Sequence, residues 1–209
     1  MKQRLTCFCD NTLDIDVPDD IDLDSDPRFF DEIQNGTFLN FTCESCGKNH
    51  KPEFPLSVLW PSKKMYFEVF PEQERGDFYR RKKNPPKKSK LTTETIIGYP
   101  ELAERLLVIR NDLDPVIVEA IKYFLFIKAE EKYPDGEMEI WYFGSNSETL
   151  EFHIHGIREN EVAVMKVPFS LYEKTLRDYR KNRKDALFTA LRVKTYLSVK
   201  NTMRPEVLK

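Results

Sequence analysis

The chain has 209 residues, of which 40% are hydrophobic and 33% are charged, and it contains fifteen Phe, nine Tyr and two Trp. This is enough apolar material for a packed core, so the composition excludes a wholly disordered chain. The 33 basic residues nearly balance the 35 acidic ones, and the formal net charge of −2 argues against a protein that is basic throughout, as a general nucleic-acid binder would be.

The N-terminal half predicts short strands and one short helix. Residues 5–17 alternate between apolar and polar side chains, which is typical of a half-buried strand. Residues 18–28 are acidic and contain two prolines, so we expect a loop. Pro27 and Gly36 enclose a predicted helix, because Pro is favoured at the start of a helix and Gly just past its end. Further strands are expected at 37–42, 58–60 and 65–70.

A basic stretch separates the two halves of the chain. Residues 75–90 contain eight basic residues and one acid, with two consecutive prolines. This composition predicts an exposed loop or linker.

The second half predicts helices around a small sheet. Asp114 is a good N-cap and Pro115 a good first helical residue, so a long helix should begin there. The expected helices are 99–109, 115–132, 170–182 and 185–199, and the expected strands are 137–143, 149–157 and 161–167. The predicted fold class is α+β: a β-rich unit at 1–74, a linker at 75–90, and an α+β unit at 91–209 with a three-stranded antiparallel sheet and four helices.

No membrane or export segment is predicted. The most apolar window, 116–127, is too short to cross a bilayer, which requires about 20 residues. The first residues have no apolar stretch of the kind found in signal peptides. We therefore expect a cytoplasmic protein with no membrane partner.

All four cysteines occur in two close pairs, Cys7-Phe8-Cys9 and Cys43-Glu44-Ser45-Cys46. In a reducing compartment such pairs favour a metal over disulfides, and four thiolates are a common closed site for zinc. Gly47 allows the backbone to turn so that amide groups face the sulfurs. The sequence therefore predicts a structural Zn²⁺ site with ligands Cys7, Cys9, Cys43 and Cys46. His50 is an alternative ligand in place of Cys7 or Cys9.

These motifs resemble the bacterial CpXC family. The resemblance rests on the two cysteine pairs, on the stretches 22–27 and 36–42, and on residues 113–122, and it covers most of residues 5–125. Phe8 and Glu44 stand where the family name implies a proline after a cysteine. The resemblance implies a zinc-ribbon-like metal site and a bacterial origin, and it carries no biochemical activity.

Three other patterns indicate a binding site less specifically than the cysteines do. Acids alternate from Asp20 to Asp26 as in a calcium loop, but Ser25 replaces the required Gly, so a solvated loop is favoured. His153 and His155 share one face of a strand, which is also typical of an exposed polar face. Two basic groups offer an alternative nucleic-acid interface. Their residues are Arg80, Arg81, Lys82, Lys83, Lys87 and Lys88 in the basic stretch, and Arg177, Arg180, Lys181 and Lys184 on one predicted helical face.

The sequence predicts only the general class of function. No nucleophile motif or phosphate-binding loop is present, so we expect no catalytic activity. The favoured hypothesis is a zinc-binding adaptor whose partner is another protein or a second copy, contacted through the apolar helix at 116–127. The first alternative is a nucleic-acid-associated protein that uses the two basic groups, and the second is an enzyme of unidentified reaction.

Overall fold

The chain forms two compact units, residues 1–103 and 104–209. The structure is a computed structural model that describes residues 1–80, 91–134 and 137–203. The sequence places a linker at 75–90, whereas the structure divides near residue 103. The difference arises because the strand at Thr92–Ile97 pairs in parallel with the one at Met65–Phe70 and so belongs to unit 1. Residues 81–90 of the predicted linker lie outside the described residues.

Unit 1 combines a sheet with two small hairpins. Its strands are β1 (Lys2–Thr6), β2 (Thr12–Asp16), β3 (Asp20–Asp22), β4 (Phe41–Thr42), β5 (Asn49–His50), β6 (Leu56–Trp60), β7 (Met65–Phe70) and β8 (Thr92–Ile97). Its helices are α1 (Arg28–Gln34), α2 (Arg75–Arg80) and the beginning of α3 (Tyr99–Arg110). Within the unit, the sheet order is β8-β7-β6-β3, with β6 and β7 antiparallel and the outer pairs parallel. Within the described ranges, β1 pairs only with β2, and β4 only with β5.

The core of unit 1 follows from its strand sequences. Val58 of β6 and Phe67 of β7 are fully buried, as the β-prone residues there predict. Helix α1 buries Phe30 and Ile33 and lies between Pro27 and Gly36, as predicted. Residues 18–28, expected to be entirely loop, contain β3, which extends the sheet by pairing with β6.

The segment after α1 folds back on the helix. The backbone N–H groups of Thr37 and Phe38 both donate to the carbonyl oxygen of Glu32, at 2.9 and 3.1 Å. Leu39 has a φ of +50°, which is incompatible with an extended strand. The strand expected at 37–42 is therefore shortened to β4.

Unit 2 matches its prediction more closely. It contains α4 (Pro115–Lys132), β9 (Glu139–Ser145), β10 (Thr149–His155), β11 (Ala163–Pro168), α5 (Phe169–Lys181), α6 (Ala186–Ala190), β12 (Arg192–Val193) and β13 (Tyr196–Leu197). The antiparallel sheet has the order β11-β10-β9. One face of β10, with Leu150, Phe152 and Ile154, packs in a core with Ile117 and Ile121 of α4. Asp114 caps α4 by accepting a hydrogen bond from the Val116 N–H at 2.9 Å. The α+β fold class is confirmed.

The helix expected at 185–199 is wrong beyond α6. Residues 192–197 form the β12–β13 hairpin instead. Lys194 in its turn has a φ of +57°, and β-prone residues flank it on both sides. The chain then continues as a 3-10 helix at Val199–Met203.

Four charged side chains are buried inside unit 2. Glu104 and Arg105 come from α3, and Glu119 and Lys122 come from α4. The Lys122 ammonium group lies 2.7 Å from Glu104 and 3.4 Å from Glu119, and the Arg105 guanidinium lies 3.2 Å from Glu119. We name these four residues the buried ion cluster.

Among the helices of the described chain, none is both long and apolar enough for a membrane span.

Candidate metal centre

The first cysteine pair occupies the turn of the β1–β2 hairpin. The Cys7 N–H donates to the Asn11 carbonyl at 2.8 Å, and the Asp10 N–H donates to the Cys7 carbonyl at 3.0 Å. Asp10 has a φ of +63°, which an Asp tolerates better than most residues. The hairpin therefore closes tightly enough to present Cys7 and Cys9 on the same side.

The second pair occupies the turn between β4 and β5. The Cys43 N–H donates to the Lys48 carbonyl, and the Gly47 N–H donates to the Cys43 carbonyl, both at 2.8 Å. Gly47 has a φ of +71°, a conformation that favours glycine. This is the turn that the sequence predicted for Gly47.

The two turns bring all four sulfurs together. Cys7 Sγ lies 3.5 Å from Cys46 Sγ, and Cys9 Sγ lies 3.7 Å from Cys43 Sγ. The four Sγ atoms all lie within 4.8 Å of one another. Sulfurs around a tetrahedral zinc ion are about 3.8 Å apart, since the Zn–S distance is about 2.3 Å. The predicted ligands thus form a cluster of the right size for one ion.

The thiols differ in acidity. A backbone N–H of Cys46 donates to the Cys43 sulfur, and with the Asn11 side chain it lowers the pKa of Cys43 to about 6. The pKa of Cys7 is raised to about 12: the Cys9 amide favours the thiolate, but burial and the neighbouring thiols oppose it. Crowded thiols resist joint ionisation, so a cation at their centre would favour the thiolate forms.

Side chains around the sulfurs complete the site. The Asn11 amide donates to Cys43 Sγ at 3.6 Å, and His50 Nε2 lies 3.1 Å from Cys7 Sγ. His50 therefore contacts the Cys7 sulfur, and the group of mutually close candidate ligands contains the four cysteines without His50. Phe8 is 84% exposed at the tip of the first turn and stacks on the His50 ring, with Lys48 Nζ 4.5 Å from its centroid.

Comparison with known proteins identifies the family of the chain. The family model for the CpXC protein matches residues 5–122, which is more than half of the chain. The chain belongs to the CpXC family. A protein of Treponema pallidum (strain Nichols), named as an uncharacterized protein, is 33% identical to this CpXC chain over 222 aligned positions, covering 95% of the chain and 97% of the relative. No solved structure matches the chain.

The acidic loop serves as structural support. Asp22 Oδ1 accepts hydrogen bonds from the N–H groups of Asp24 and Ser25, and the Asp24 carboxylate accepts from the Ser62 N–H and hydroxyl. Asp26 pairs with Arg28 at 2.7 Å. Across the described ranges, the four cysteines are the only group of three or more candidate metal ligands.

The two strand histidines lie on the outer side of the unit 2 sheet. His153 Nε2 is 3.0 Å from Glu151, and the His153 ring stacks on Phe143 with centroids 4.0 Å apart. His155 is exposed beside them. This matches the exposed polar face that the alternation of β10 predicts.

The basic groups are only partly described. Arg80 pairs with Asp77 at the end of α2, and residues 81–90 lie outside the described residues. Arg177, Arg180 and Lys181 are exposed on α5. Lys184 lies beyond the end of α5, because the helix stops at Lys181, so the single helical face predicted for this group is wrong.

Sequence reasoning missed the Asn11 contact and the buried ion cluster. Asn11 reaches Cys43 only because the β1–β2 turn meets the β4–β5 turn, which no local pattern reports. The sequence did contain an indication of the buried ion cluster, since the charged residues Glu119 and Lys122 interrupt an otherwise apolar helix.

Proposed function

We propose that the four cysteines hold one zinc ion in a closed structural site. The observation that carries the proposal is the grouping of all four sulfurs within 4.8 Å, from two turns far apart in sequence. Four protein ligands leave no open position for water or substrate, so the site stabilises unit 1 and performs no chemistry of its own. Cysteine pairs that hold a metal in place of disulfides are typical of a reducing compartment, and we therefore place the protein in the cytoplasm.

Metal analysis of protein purified under reducing conditions tests this proposal. We expect one zinc per chain and four thiols that become reactive after chelation. Cys43→Ser should abolish stoichiometric zinc, whereas Ser45→Ala, an exposed non-ligand in the same turn, should retain it. Four freely reactive thiols in protein without metal, or zinc retained by Cys43→Ser, would contradict the proposal.

We further propose that this CpXC protein acts by binding another protein. Helix α4 mostly serves the core, since Val116 to Lys122 are all buried, but Phe124 and Ile127 remain exposed. They line a groove of about 930 Å³ with Leu171 of α5 and Phe188, which follows α5 in α6. An apolar floor of this kind favours an apolar segment of a partner.

A pair of exposed phenylalanines provides the test. Phe124→Ser alters the groove, and Phe143→Ser removes an exposed ring from the sheet of the same unit, outside the groove. Sedimentation velocity detects self-association, and co-purification followed by titration with the purified partner detects a second protein. We expect Phe124→Ser to weaken binding by about tenfold or more and Phe143→Ser to leave it unchanged. Equal effects of Phe124→Ser and Phe143→Ser on binding would show that the groove is not the binding surface.

A further inference from the structure

The four cysteines of the candidate metal centre differ in their access to solvent. Cys7 and Cys43 are buried, with 2% and 0% of their surface exposed, whereas Cys9 and Cys46 are exposed. Each of the two hairpins, β1–β2 and β4–β5, therefore contributes one buried and one exposed sulfur. Because accessible thiolates are oxidised most readily, Cys9 and Cys46 are the sulfurs that an oxidant in solution meets first.

Each exposed sulfur contacts the buried sulfur of the opposite hairpin. Cys46 Sγ lies 3.5 Å from Cys7 Sγ, and Cys9 Sγ lies 3.7 Å from Cys43 Sγ. The S–S distance in a disulfide is about 2.0 Å, so the sulfurs of each pair have to approach by about 1.5–1.7 Å. A cysteine that is oxidised at the surface thus has a second thiol in contact with it, which is the arrangement of redox-sensitive cysteines.

We propose that the four cysteines are a peroxide-sensitive modification site, in which two disulfides between the hairpins, Cys7–Cys46 and Cys9–Cys43, replace the zinc ion. The inference rests on the closed four-sulfur site of the proposed function and adds its regulation by oxidants. It requires no open coordination position, because the ligand sulfurs themselves react. The co-reactant is a hydroperoxide, of which hydrogen peroxide is the simplest.

The proposed oxidation takes two steps for each disulfide. The exposed thiolate attacks one oxygen of hydrogen peroxide: an S–O bond forms, the O–O bond breaks, and the leaving hydroxide takes up a proton to become water. The buried thiolate then attacks the sulfur of this sulfenic acid: the S–S bond forms, the S–O bond breaks, and a second hydroxide leaves and is protonated. Two sulfurs lose two electrons in total, and one peroxide molecule is reduced to two water molecules.

The pairing of the cysteines determines what the oxidation does to unit 1. Each disulfide removes two thiolates from the ligand set, so a closed zinc site cannot persist after the first one has formed. The two disulfides join positions that are 39 and 34 residues apart, and both connect one hairpin to the other. Disulfides within each hairpin would leave the hairpins unconnected. The proposed pairing therefore releases zinc while the two hairpins stay together, and a thiol reductant reverses it.

Disulfide mapping of the full-length protein tests the pairing. The protein, as purified under reducing conditions, is freed of reductant and treated with hydrogen peroxide, and its remaining thiols are blocked. Chymotrypsin cleaves after Phe8 and a glutamate-specific protease after Glu44, so digestion separates the two cysteines of each motif. Mass spectrometry then distinguishes the three possible connectivities. We expect Cys7–Cys46 and Cys9–Cys43.

Other products would overturn the inference. These are disulfides within each hairpin, the alternative cross-pairing of Cys7 with Cys43, or sulfinic acids in place of disulfides. Zinc bound before oxidation together with any of these products would leave the proposed function standing. Protein that contains no zinc would refute the proposed function, while the disulfide map would still decide the pairing.

Zinc release and hydrogen exchange test the consequence. Peroxide should release the zinc of the native protein, and a dithiol reductant with added zinc should restore one ion per chain. In the oxidised, zinc-free protein, we expect the amides of the two hairpins to exchange at least about tenfold more slowly than in reduced, chelated protein. Zinc retained after both disulfides have formed, or equal exchange in the two zinc-free forms, would contradict the proposal.

Two variants that each retain one proposed pair provide a further check. Cys9→Ser should form only Cys7–Cys46, and Cys46→Ser should form only Cys9–Cys43. Ser45→Ala, a substitution of an exposed non-ligand in the second turn, should form both disulfides at the rate of the wild type. A Cys7–Cys43 disulfide in either cysteine variant at the wild-type rate would show that the contacts between exposed and buried sulfurs do not direct the pairing.

Discussion

The ring of His50 lies against Cys7 Sγ, with Nε2 at 3.1 Å. Because the proposed zinc site already has four sulfur ligands, we interpret His50 as a hydrogen-bond donor to the Cys7 sulfur. A donor at this position reduces the charge on a thiolate and restricts its motion, which slows the loss of metal. Phe8, stacked on the other side of the ring, keeps the imidazole in this orientation.

Substitution of His50 tests this role. His50→Phe removes the donor but keeps an aromatic ring for Phe8, whereas His50→Gln keeps an N–H group. We expect both variants to bind one zinc per chain, with zinc transfer to a chromophoric chelator about tenfold faster for His50→Phe. The readout is the absorbance of the chelator complex over time. Substoichiometric zinc in His50→Phe would instead make His50 a ligand.

Single residues of the metal centre were largely predictable from the sequence. The cysteine pairs carry their own spacing, and Gly47 marks a turn that needs a positive φ. The contact of Asn11 with Cys43 was not predictable, since the two residues are 32 positions apart and meet only through the pairing of two turns.

At the scale of elements, the buried ion cluster joins α3 to α4. Each oxygen of Glu104 has a donor, from Lys122 and from the Tyr142 N–H at 2.6 Å. Glu119 accepts from the Val199 N–H at 2.7 Å as well as from Arg105. Charges buried at this depth are tolerated because they are paired and hydrogen-bonded. Removing one partner leaves the other charge buried and uncompensated, which lowers the free energy of unfolding.

Removing Lys122 should therefore destabilise unit 2 strongly. We expect Lys122→Met to lower the free energy of unfolding by about 3–5 kcal/mol. Lys128→Met, an exposed lysine on the same helix, should change it by less than about 0.5 kcal/mol. Urea denaturation followed by circular dichroism measures both, and adding Glu104→Gln to Lys122→Met should restore part of the loss. Similar free energies of unfolding for Lys122→Met and Lys128→Met would contradict a stabilising role of the buried ion cluster.

The cluster also predicts a dependence of stability on pH. Burial raises the pKa of Glu104 above its ordinary value of 4.5; nearby Lys122 opposes the rise and Glu119 adds to it. Between the unfolded and folded pKa values the folded protein binds the proton more tightly, so the stability contributed by Glu104 falls as pH rises through that window.

Unfolding of the wild type and of Glu104→Gln, compared from about pH 5 to about pH 8, isolates this contribution. Gln cannot ionise, so the stability of the wild type relative to the variant should decline as pH rises. A difference that stays constant, or that grows with pH, would show that the Glu104 pKa is not raised.

Helices and strands were predicted well where a single hydrophobic periodicity dominates the sequence. They were predicted poorly where the local secondary-structure preference conflicts with tertiary contacts. Helix α4 carries both an N-cap and a long apolar run, and it begins at the predicted residue. The segment 185–199 has helix-compatible spacing, but its β-prone residues and the left-handed Lys194 produce a hairpin. Strand β8 was not predicted, because its sequence Thr-Thr-Glu-Thr-Ile-Ile adjoins the basic stretch and shows no strict alternation.

At the scale of the whole molecule, the two units should respond differently to loss of metal. Among the strands that the structure describes, the β1–β2 and β4–β5 hairpins pair only within themselves, and two-stranded hairpins are marginal without further support. Unit 2 has apolar clusters of its own around α4. Chelation under reducing conditions should therefore remove hydrogen-exchange protection from the β1–β2 and β4–β5 hairpins while the amides of β10 and α4 stay protected. Simultaneous loss of protection in both regions would contradict this prediction.

The two cysteine turns also set an order of events during synthesis. A ribosome that adds about 5–20 residues per second needs about 2–7 s to translate from Cys9 to Cys46. Throughout that interval the nascent chain carries Cys7 and Cys9 but not yet both cysteines of the second pair. The proposed zinc ion can reach its four-sulfur coordination only after Cys46 has left the exit tunnel, so the order of synthesis sets the earliest moment of metal insertion.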